Sequence, residues 1–143
     1  MKKGLLAATI VSMSCSSALF ANSSCDETAL HGYMENIKNE MQAMSSDVKS
    51  GDNDAAAQRV TTLISYFEKS RGETPYKFTA ENLQGDALAQ QQEKFTKVVD
   101  DTIVILKNLE GALQADNEAD VRKWLGEVGG QRKIGHGAFK ANC

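Results

Sequence analysis

The chain has a single proline, Pro75, and aromatic residues make up only 6% of it. Few stretches carry the alternating β-branched and aromatic pattern of strands, so a sandwich or barrel is excluded on pattern as well as composition. Basic residues do not exceed acidic ones: 16 Lys and Arg stand against 19 Asp and Glu, a formal charge of −3. A nucleic-acid binder needs a basic footprint, and so does a protein held on anionic membrane surfaces; this chain has neither. Glycine-rich phosphate loops, nucleophile elbows and histidine-rich metal motifs are all missing. Histidine occurs twice and cysteine three times. Acid and base groups on a common face, or an open metal position, cannot be assembled from what is left, and an enzyme is not expected.

What is present begins at the amino terminus. Lys2 and Lys3 precede an apolar run from Gly4 to Val11, continued by Met13 and Ala18–Phe20, with Ala21 as a small residue for cleavage. This is the layout of a secretory signal peptide over residues 1–21, too short and too interrupted by serine to span a membrane. Neither Cys15 nor Cys25 follows the Leu-x-small pattern of a lipidated leader. Export to the periplasm is therefore expected. Cleavage takes out two lysines and no acid, moving the formal charge from −3 to −5. No later segment approaches about 20 apolar residues, so the mature chain is expected to be soluble. Cys25 and Cys143 remain, one near each end, and an even pair in an exported protein reads as one disulfide.

Residues 22–143 form one expected domain. In the first segment Leu30, Met34, Ile37, Met41, Met44 and Val48 step by fours and threes, the seam of a helix facing a partner. Ser24 and Glu27 have capping-box spacing, which predicts a start around Cys25. "KSGDND" (49–54) breaks that helix, and Ala56, Val60, Leu63, Ile64 and Phe67 mark the second. A polar connection holding Gly72, Pro75 and Gly85 is the longest in the chain. The third helix is predicted from about Asp86 through Leu113. "ADNEAD" (115–120) follows, with Asn117 as N-cap. The fourth predicted stripe is Val121, Leu125, Val128, Arg132, His136 and Phe139. Four amphipathic helices of this length make an all-α, up-down-up-down antiparallel four-helix bundle. In that topology Cys25 and Cys143 meet at one end.

Met34 lies nine residues after Cys25, and His136 seven before Cys143. At about 1.5 Å rise per residue, both sit some 10–14 Å in from the bridged end. A methionine sulfur and a histidine nitrogen from neighbouring helices at one depth form a His/Met axial pair for haem iron, leaving no open coordination position. Each alone has a plainer account: Met34 as one of several core methionines, His136 as a satisfied core residue. Gly135 and Gly137 are expected to let a flat macrocycle approach the backbone. His31 competes as a ligand but falls off the seam, on a partly exposed flank. Trp124 is expected to pack, and Asp100, Asp101, Glu118 and Asp120 to be solvated.

"LHGYMENIKNEM" (30–41), "ADNEADV" (115–121) and "RKIGH" (132–136) resemble the soluble periplasmic cytochrome b562 family. The resemblance extends over almost the whole mature chain, with about one extra turn near residues 44–52 and a gap of about three residues in the last helix. It implies a bundle holding one non-covalent haem, with Met34 and His136 as axial ligands. It places Arg132 at an arginine one turn before the histidine and Phe95 at an aromatic lining the haem pocket. Related c-type bundles attach haem through C-x-x-C-H; Arg132 and Gly135 stand where those cysteines would be, so haem b is implied. Arg132 then either pairs with a propionate or extends from the core edge to solvent. The pair Gly129-Gly130, the glycines around His136 and the terminal cysteines depart from the family pattern. The resulting expectation is a monomeric periplasmic b-type cytochrome and outer-sphere electron carrier, with unidentified redox proteins as partners. The alternative is a haem-free periplasmic bundle acting in interaction or stress-related binding.

Overall fold

A computed structural model describes residues 25–142; the predicted signal peptide and Cys143 lie outside the described residues. A single 3-10 turn, Cys25–Glu27, leads into α1 (Ala29–Ser50). Then come α2 (Asn53–Ser70), a short α3 (Tyr76–Ala80), α4 (Gly85–Gln114) and α5 (Glu118–Phe139). Among the described residues there is no strand, and none of these helices is long and apolar enough to cross a membrane.

Local chemistry sets the boundaries. The Thr28 hydroxyl accepts from the His31 N–H at 3.1 Å, so Thr28 caps α1, later than the predicted start around Cys25; Ser24 lies outside the described residues. Gly51 ends α1 at φ 80°, a left-handed conformation that costs glycine no Cβ clash. Asp52 caps α2, and Asn117 caps α5 by accepting from the Asp120 N–H at 3.1 Å, as its position predicted. The polar connection between the second and third predicted helices is not uniformly irregular. Pro75 is buried and presets the first turn of α3, whose Phe78 enters the core.

α1 packs on α2, α2 on α4, and α4 on α5. Bidentate contact of Arg71 with Asp100, at 2.6 and 3.0 Å, joins α2 to α4 on the surface and holds the Asp100 carboxyl below its ordinary range. The core runs through Ile37, Met44, Val60, Leu63, Val99, Leu106, Leu109 and Leu113, all buried. At its far end Phe139 stands edge-on to Phe95, centroids 5.4 Å apart, and to Phe78 at 6.0 Å.

Those aromatic contacts fasten the last turn of α5. Lys77 Nζ also donates to the Ala138 carbonyl at 2.9 Å, satisfying a group that a helix end leaves unpaired. Phe139→Ala should therefore cost about 3 kcal/mol, the low end for a buried phenylalanine because it lies near the chain end. Denaturant unfolding of the haem-free protein measures this; a loss under about 1 kcal/mol would mean that the cluster does not hold α5.

Candidate functional site: the side between α1 and α5

Three sides of the bundle are closed by helix packing. The fourth, α5 against α1, is not among the closely packed helix pairs. Helical spacing shows which residues border it. On α1, Met34 and Glu40 lie three residues before and after buried Ile37, so they point about 60° to either side of it. Glu40 is on the α2 side, because it pairs with Arg59 at 3.4 Å, as does Asp47. Met34 is thus turned away from α2, with Met41 below it; both are half-buried against the core edge.

The same construction works on α5. Gly135 and His136 fall on opposite flanks of buried Phe139. A Cβ at Gly135 would lie 3.6 Å from Val98 of α4, which fixes that flank against α4. His136 is therefore on the flank away from α4, toward α1, and is exposed. Arg132, also exposed, and half-buried Leu125 share this flank, with Gly129 between them. A Cβ at Gly129 would meet nothing within 4 Å.

These facts correct one reading from the sequence. The buried stripe of α5 continues from Val128 through half-buried Gln131 and Gly135 to Phe139, and does not pass through Arg132 and His136. The physical reason is that Phe139 turns fully into the aromatic cluster, rotating its neighbours toward the fourth side. A Cβ at Gly135 would be in ordinary contact with Val98 of α4, and one at Gly137 would meet nothing within 4 Å.

Depth can be counted from the opposite end. There the turns are tied together by Asn53, whose Nδ2 donates to Asp116 Oδ1 at 2.8 Å. Met34 lies 17 residues before the Gly51 cap and His136 lies 19 after the Asn117 cap, or about 25 and 28 Å at helical rise. The two side chains thus face the open side at nearly one level. A further sign of proximity is that Lys140, just past α5, adds to the charges holding Glu35 of α1 below the ordinary carboxylate range. The hydrogen-bonded Lys38, 3.0 Å away, is the main cause of that shift.

The His136 ring is pushed below the ordinary histidine range, first by the protein packed around it, then by the charges of Arg132 and Lys140. A neutral imidazole is the form that binds a metal. Phe95 is buried behind this corner, against Phe139. Trp124 is half-buried, with Lys123 Nζ 4.4 Å from its ring centroid. Among the described residues no three His, Cys, Asp or Glu side chains cluster as a site for a bare metal ion. Sequence reasoning missed Lys77 and Phe78, the residues that secure the His136 turn. A proline followed three positions later by phenylalanine was the available signal for α3.

Helical bundles build cofactor sites from side chains on facing helices. An all-α bundle with one unclosed side, bordered by a thioether and an imidazole, has the form of that class. The family model for cytochrome b562 matches residues 29–140, and the chain belongs to the cytochrome b562 family. That family comprises haem-binding electron carriers that use b-type haem. No curated protein and no solved structure matches the chain.

Proposed function

We propose that this chain is an exported periplasmic b-type cytochrome that holds one haem between Met34 and His136 and transfers electrons without catalysing a reaction. The observation that carries this reading is the convergence of those two side chains on the one side of the bundle that helix packing leaves unclosed. Gly129 adds bare backbone on that side. Phe95 and Phe139 would supply an apolar wall behind it.

Haem iron bound there would supply a one-electron couple, and a thioether ligand raises its potential. The protein's part is to present sulfur and nitrogen from two helices whose backbones are fixed elsewhere. α1 is held by Arg59 through Glu40 and Asp47; α5 is held by Phe139 and by Lys77. Ligands held in this way change little between oxidation states. Arg132, exposed on the same flank and without an ion-pair partner among the described residues, is placed to meet a propionate.

The leader at residues 1–21 and a Cys25–Cys143 disulfide belong to the same proposal. In support, Cys25 is disulfide-bonded, and the only cysteine besides these two is Cys15, within the leader.

The test is a titration of the purified full-length mature protein with ferric haem, followed by dithionite. We expect one equivalent to bind, a Soret band to develop, and sharp α and β bands to follow reduction. A folded, colourless protein that leaves the haem spectrum unchanged would contradict the proposal and leave a haem-free binding bundle in its place.

A further inference from the structure

The flank of α1 that carries Met34 carries a second donor one turn earlier. His31 lies three residues before Met34, about 60° further round the helix toward solvent, and its side chain is 38% exposed. Its depth agrees with that of His136. Twenty residues separate His31 from the Gly51 cap, about 30 Å against about 28 Å for His136 and about 25 Å for Met34. The level of His136 falls between those of the two α1 donors.

Two contacts locate His31. Its backbone N–H is fixed by the Thr28 hydroxyl at 3.1 Å. Its Nδ1 is the ring nitrogen nearer the Asp26 carboxylate, 3.9 Å away and beyond a hydrogen bond, with Nε2 on the far side of the ring. His136 is itself exposed, so a haem moved outward along this side keeps it within reach.

We propose that His31 is an alternative axial ligand to the same haem iron, replacing Met34 opposite His136 when the thioether is lost. This rests on the haem reading above. The exchange moves no electrons: the His31 Nε2 lone pair forms a bond to iron as the Met34 sulfur releases one. One protein ligand would replace another, so the number of ligands the chain supplies would not change. Exchange of a soft thioether for imidazole favours the ferric state and lowers the potential.

The experiment compares full-length haem-loaded wild type, His31→Ala, Met34→Ala and the double variant by optical and electron paramagnetic resonance spectra in both oxidation states. His31→Ala should match wild type, since Met34 remains. Met34→Ala should stay low-spin, with a lower midpoint potential. The double variant should become high-spin and return to low-spin on addition of imidazole. A high-spin Met34→Ala protein, indistinguishable from the double variant, would overturn the inference while leaving the haem site standing. Wild type that takes up no haem would instead defeat the reading on which it rests.

Discussion

His136→Ala should weaken haem binding by more than about 100-fold while leaving the bundle folded. Loss of a residue that merely orients a ligand costs roughly 10–100-fold in metal affinity, and loss of the ligand itself should cost more. Folding should survive because His136 is exposed and the core beneath it is made by Phe139, Phe95 and Phe78. Loss of Met34 is a milder change, since an imidazole on α5 can hold a five-coordinate ferrous haem. In a His31→Ala background, where the neighbouring imidazole cannot substitute, Met34→Ala should retain haem and become high-spin on reduction. Competition for haem with apomyoglobin orders the variants: wild type tightest, the methionine variant next, His136→Ala weakest. Equal retention by His136→Ala and wild type would remove that residue from the site.

The second large effect is expected at the chain ends. A Cys25–Cys143 bridge closes nearly the whole mature chain, and loop entropy for about 100 residues puts its contribution near 4–5 kcal/mol. Cys143→Ser, or reduction, should lower the thermal midpoint by on the order of 15 °C. It should also speed haem loss. α5 contains Gly135 and Gly137 on either side of His136, each weakening the helix by about 1 kcal/mol relative to alanine. Removing the covalent restraint would let that turn fray with the ligand on it. Intact mass of the exported protein, with and without reduction, counts the thiols. Two free cysteines in native protein, or an unchanged midpoint after substitution, would contradict the bridge.

Periodicity and punctuation made most of the architecture legible in the sequence. The 4-3-4-3-4 stepping of α1, Gly51 and Asn117 each encode a local preference that the fold satisfies directly. The sequence offers both Ser24 and Thr28 as caps, so it does not by itself fix the start of α1; the Thr28 hydroxyl makes the bond to the His31 N–H. α3 is too short for a periodic signal; it is held by tertiary contacts of Phe78 and Lys77. The rotation of α5 was misread for a related reason. Four glycines between Gly129 and Gly137 carry no hydrophobic signal, so a stripe through His136 looked as good as one through Gly135. Val98 and the Phe139 cluster decide the rotation, and neither contact is local. The pairing of Met34 with His136 rests on topology and residue counting alone, which put them at a common depth. That they border an unclosed side required the structure.

The most direct test of the account is the proton NMR spectrum of the ferrous, haem-loaded protein. A methionine bound to low-spin ferrous iron puts its ε-methyl directly over the porphyrin ring current. A three-proton singlet upfield of every other protein signal is expected, present in wild type and missing in Met34→Ala. A ferrous haem protein without that singlet, or one that keeps it after Met34→Ala, would contradict the claim that Met34 and His136 hold the iron between them.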